Sequence, residues 1–97
     1  MDKRIWKLFL VFVLFSFLLS GCNYFAARDQ IRATENLIAE LKAQGGEKLV
    51  PYEYTSAEKF LEVSKMEFNE NDYKHAKGFA DRAKSAAETG LAEVKKK

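Results

Sequence analysis

Leu19, Ser20, Gly21 and Cys22 hold the most defined chemistry in the 97 residues, and they follow an apolar run that itself follows Lys3, Arg4 and Lys7. A basic start, an apolar middle and small residues before a cysteine predict a secretory signal cut between Gly21 and Cys22, leaving the cysteine first. This is chemistry done to the chain rather than by it. From Ile5 to Leu19 the stretch is broken by Lys7 and Ser16, and its uninterrupted part falls short of the ~20 residues a permanent membrane-spanning helix needs. The competing readings are an uncleaved signal anchor and a cytosolic helix.

Elsewhere the residue types that catalyse or bind metals are sparse. His75 is the only histidine and Cys22 the only cysteine, so a zinc or nucleophilic site would have to be built on carboxylates around one imidazole. Glu67, Glu70 and Asp72 cluster near a turn, where a solvated acidic loop ahead of a helix start accounts for them. Gly45 and Gly46 lack the strand, the lysine and the spacing of a phosphate loop. No catalytic residue, metal ligand, cofactor or small-molecule substrate is predicted.

With Leu19, Ser20, Gly21 and Cys22 in place, the N-terminus resembles that of bacterial lipoproteins. Their lipobox has an aliphatic residue, a small residue, Gly or Ala, and then the cysteine that is acylated. The resemblance implies a lipidated Cys22, an address in the bacterial cell envelope, and three acyl chains. At about 0.8 kcal/mol per buried methylene these form a durable anchor where one chain would not. With its thiol acylated, Cys22 is no disulfide partner and no thiolate ligand. Asn23, where enterobacterial relatives retained in the inner membrane carry Asp, implies an outer-membrane address facing the periplasm. Removing residues 1–21 also removes three of 16 basic and one of 14 acidic residues, leaving 13 of each. The positive balance therefore belongs to the signal and gives no argument for nucleic-acid binding. Of the 97 residues, 76 remain, near the size at which one apolar core supplies only a few kcal/mol. Close helix packing, self-association or a partner is expected to make up the difference.

Three elements position these residues, and the sequence predicts an all-α fold. Over about 23–44, Tyr24, Ala27, Ile31, Thr34, Ile38 and Leu41 recur at spacings of three and four, one face of a helix. Gly45 and Gly46 end it, and Glu47, Lys48, Leu49 and Val50 read as a connection whose two apolar residues cover the bundle end. A hairpin over about 51–95 follows. Its first helix starts at Pro51, in competition with a Thr55 and Glu58 capping box, and carries Tyr54, Ala57, Leu61, Ser64 and Phe68, broadened by Phe60 and Val63. Asn69 to Asp72 forms a short turn, with Asp72 as the next cap, so the neighbours are antiparallel. The last helix carries Tyr73, Ala76, Ala80, Ala83, Ala87, Leu91 and Val94, small residues against large ones. Gly78 and Gly90 suggest close helix approach or fraying. The domain expectation is a signal over 1–21, a helix and linker over 22–50, and the hairpin over 51–97.

Pro51, Tyr52, Glu53 and Tyr54, then Ala57, Leu61 and Ser64, then Asp72, Tyr73, Ala76, Ala80, Ala83 and Ala87, resemble a family of small bacterial lipoproteins of unknown function. The hairpin is also similar to one tetratricopeptide unit, with Val63, Ser64, Asp72, Tyr73, Ala76 and Ala83 at its signature positions and Glu67 and Glu88 departing from it. Hairpins of that kind bind peptides or proteins. Tyr52, Tyr54, Phe60, Phe68, Tyr73 and Phe79 are accordingly the candidate partner contacts, beside a role in packing against the first helix. The implied function is a non-enzymatic adaptor or structural accessory that engages an envelope protein or a second copy. The alternative is a peptidoglycan-linked protein resembling the murein lipoprotein, joined through Lys97; Gly45, Gly46 and Pro51 interrupt the single heptad helix that family keeps.

Overall fold

The computed structural model describes residues 3–97, with the backbone alone described over 17–22. It is all-α: α1 (Lys3–Ala43), α2 (Gly46–Leu49), α3 (Pro51–Asn69) and α4 (Tyr73–Lys96). The expected signal helix and first helix are one continuous α1 of 41 residues, which corrects the separate elements the sequence suggested. The physical reason is local: no proline stands between Lys3 and Ala43, and Gly21 after Ser20, a pair that also suits turns, costs a helix only about 1 kcal/mol relative to alanine, which propagation at one hydrogen bond per residue carries through.

The two ends of α1 differ in surroundings. Ile5, Trp6, Leu8, Phe9, Phe12 and Phe15 stand exposed, and this part of the helix projects from the bundle, drawing the molecule out to 69 Å while it stays only 21 by 15 Å across. Among the described residues no helix is long and apolar enough to cross a membrane. From Ala27 onward the face Ala27, Ile31, Thr34, Ile38 and Leu41 is buried, as the spacing requires.

Glycine turns the chain. Gly45 takes a left-handed conformation at φ 81°, which side chains disfavour. At Gly46 a Cβ would lie 2.7 Å from the Leu41 carbonyl oxygen, so no larger residue fits. The segment expected as a plain connection is instead the single turn α2; Val50 is buried while Leu49 stays exposed, so one apolar residue of the two covers the bundle end. Pro51 occupies the first turn of α3, where its missing N–H costs nothing, and the Thr55 capping box is displaced. Asn71 at φ 65° and Asp72, whose carboxylate accepts from the His75 backbone N–H at 3.3 Å, form the turn and cap of α4.

α4 packs against both α1 and α3. Its seam residues Ala76, Ala80, Ala83 and Ala87 are completely buried, because only methyl groups allow two helices to close on one narrow face. Gly90 belongs to the same seam, with a would-be Cβ 2.9 Å from Leu41 Cδ2. Gly78 has open space around it, so close approach explains Gly90 and not Gly78. Two buried hydroxyls fix the register. Ser64 of α3 donates to the Ala76 carbonyl at 2.5 Å, and Thr34 of α1 donates to the Gln30 carbonyl at 2.7 Å and reaches the Ala80 carbonyl at 3.3 Å. Among the described residues every buried side-chain nitrogen and oxygen has a partner.

Candidate functional site

Leu19, Ser20, Gly21 and Cys22 lie outside the residues whose side chains are described; the lipidation and cleavage expectations rest on the sequence. The six aromatic candidates are described, and the fold separates them into three environments.

Phe68 and Tyr73 flank the α3–α4 turn and meet Tyr24 of α1. The three ring centroids stand 5.1 to 5.3 Å from one another, within the range of favourable aromatic pairing. Phe25 joins them edge-on through Tyr24 at 5.3 Å. Sequence reasoning places Tyr24 on the packing stripe, in agreement with the structure, and does not single out Phe25. The signal for Phe25 is its position: at spacings of three and four it falls off the stripe, an exposed aromatic beside the start of the bundle. The Tyr73 hydroxyl donates to Asn71 Oδ1 at 2.9 Å, tying the ring to the turn.

Tyr54 is buried and donates its phenol to Glu58 Oε1 at 2.7 Å. This hydrogen bond, then burial, pushes the phenol up to about 12. Tyr54 is thus a core residue with a satisfied hydroxyl, as its place on the α3 packing stripe predicts, and of its two expected roles the structure shows the packing one.

Tyr52, Phe60 and Phe79 lie toward the outer side of the hairpin. Tyr52 is 78% exposed and lines a shallow groove between α3 and α4 with Ser56, Phe60, Arg82, Ala86 and Thr89. Phe79 is half-buried under the Arg82 guanidinium, 5.3 Å from its ring centroid, so it reaches the groove through a cation held over its face. Glu53 and Ser85 complete the lining, so the groove combines aromatic, small, polar and charged side chains.

The acidic turn has a defined geometry. Glu67, Asp72 and His75 bring one ligand atom each to within 4.8 Å of the others, and His75 Nδ1 sits 2.7 Å from Asp72 Oδ2. The imidazole hydrogen bond holds the Asp72 carboxyl below the usual carboxylate range. Both Asp72 oxygens are therefore engaged by His75, one by its backbone and one by its ring; a cation would have to displace the ring. Glu70 is exposed at the tip. Lys97 donates to the Leu49 carbonyl at 2.8 Å, closing the end of the bundle opposite the aromatic cluster.

Comparison of the chain with protein-family models, with curated proteins and with solved structures finds no match.

Proposed function

We propose that this is a lipid-anchored, non-enzymatic protein of the bacterial cell envelope, held at Cys22 and acting as an adaptor or structural accessory through the α3/α4 hairpin. The observation that carries the reading is the exposed apolar half of α1. Ile5, Trp6, Leu8, Phe9, Phe12 and Phe15 stand clear of the bundle, and so many exposed large side chains on one rod call for a lipid or translocation environment. The lipobox-like residues follow directly. The outer groove around Tyr52 and Phe60 is the contact surface this reading assigns to an envelope protein or a second copy, since aromatic anchors supply much of the energy of protein interfaces. Asn23 favours the outer membrane, facing the periplasm.

Site-specific crosslinking in intact cells tests the proposal. A photoreactive residue at Tyr52 is expected to yield one defined adduct in the envelope fraction, and one at Glu62, exposed on the α1 side of α3, is expected to yield none. The Cys22→Ser chain should lose the adduct together with its envelope location. Indistinguishable patterns from positions 52 and 62 would refute the assigned surface.

A further inference from the structure

α1 is helical through position 22 into the bundle, so once residues 1–21 are removed Cys22 opens the first turn of the remaining helix. From Cys22 to Phe25 is a rise of about 4.5 Å at 1.5 Å per residue, and the headgroup layer on each side of the apolar core is about 5 to 8 Å deep. An anchor at the base of that layer leaves Tyr24 and Phe25 inside it. The residues found there have the matching chemistry. Phe25 is 58% exposed, touching the ring of Tyr24, and Tyr24, Phe68 and Tyr73 close the cluster with two phenols among the rings. Such amphipathic aromatic groups favour the headgroup level of a bilayer. Arg28 and Arg32 lie one and two turns further along and line a shallow recess beside Tyr24 and Phe68. They form no ion pair among the described residues, and their guanidinium groups match phosphate geometry.

Resting on the lipid-anchored reading above, we propose that the Tyr24, Phe25, Phe68 and Tyr73 end of the bundle is a lipid-binding collar. It seats the bundle directly on phospholipid headgroups with the α3–α4 turn down. Phe25 inserts, and Arg28 approaches the phosphates. Glu67, Glu70 and Asp72 at the same end balance Arg28, Arg32 and the exposed Lys74, so the surface that fits is zwitterionic phospholipid rather than a strongly anionic one. The Tyr52 groove then lies toward the far end of the bundle, about 24 Å from Phe68 by helix rise.

The test uses the lipidated protein, expressed from the full chain, purified from bacterial membranes and reconstituted into phosphatidylcholine vesicles. Trp6 is the single native indole and leaves with residues 1–21, so Trp6→Phe serves to silence any unprocessed chain, and either Phe25→Trp or Tyr52→Trp introduces a new indole at an exposed site. Flotation reports anchoring; quenching by lipids brominated along their chains reports depth. The expected result is flotation of both proteins, with the indole at 25 quenched several-fold more than that at 52, and a blue-shifted emission at 25 alone. Flotation with equal quenching would overturn the collar while leaving the anchor intact. Failure to float would overturn both. Replacing a third of the lipid by phosphatidylglycerol should not deepen position 25; a large increase in its quenching would overturn the zwitterionic assignment.

Discussion

Along α1, the stretch from Ile5 to Phe15 and the stretch from Ala27 to Leu41 are both rich in apolar residues, and they differ in where the apolar groups fall. In the first they cover the helix on all sides and remain exposed. In the second they recur at spacings of three and four, with Arg28, Asp29, Arg32, Glu35, Asn36 and Glu40 between them, and every position of the stripe is buried. One rod thus carries two solutions to the same problem. A stripe is complementary to other helices of this chain, whereas an all-round apolar surface has no complement within it. The difference teaches that pattern, more than hydrophobic content, decides whether a helix finds its partner at home.

The sharpest way to break the contrast is to make the same truncation on each side of it. Leu41→Ala, which empties a fully buried site beside Gly46 and Gly90, should cost about 2 to 5 kcal/mol. Leu10→Ala, at an exposed site, should leave thermal unfolding of the unprocessed chain unchanged. Equal losses would erase the distinction. The seam gives the next effect. Ala83→Leu inserts a branched side chain where α4 is completely buried and should destabilise by about 1 to 3 kcal/mol through overpacking, read as a lowered urea midpoint.

Gly78→Ala sharpens the comparison in the other direction. Because a methyl there meets nothing within 4 Å, the gain in helix propensity should stabilise by about 0.5 to 1 kcal/mol. The smallest effects are in pH. The folded state holds Asp72 below its ordinary value of about 3.9 through His75. Its contribution is therefore present above that value and lost as pH falls through the lower folded one. Asp72→Asn should flatten the acid limb of a melting-temperature profile. Tyr54 works with the opposite sign: its phenol is held protonated up to about 12, so its contribution is present below about 10 and lost between about 10 and 12. Tyr54→Phe should remove the latest-ionising component of the tyrosinate absorbance titration.

Much of the fold is legible in the sequence because periodicity and punctuation agree. Ala27, Ile31, Thr34, Ile38 and Leu41, the four seam alanines, Gly45, Pro51 and Asp72 all act as their types and spacing indicate. What is not legible depends on contacts between distant segments. The ring cluster joins residue 24 to residues 68 and 73 across a fold that the chain alone does not display. The continuity of α1 escapes a sequence reading because a processing signal reads as a boundary, while Gly21 alone, at about 1 kcal/mol relative to alanine, does not break the backbone there. For the candidate surface, aromatic content points to the hairpin as a whole, and periodicity puts Tyr54 but not Tyr52 on the buried stripe.

The account depends most on the fate of the apolar half of α1. Intact-mass spectrometry of the protein extracted from its membrane fraction examines that directly. The expected spectrum is a chain beginning at Cys22 with its thiol in diacylglyceryl linkage and its amine acylated. A soluble chain retaining residues 1–21 with an unmodified Cys22 would contradict it.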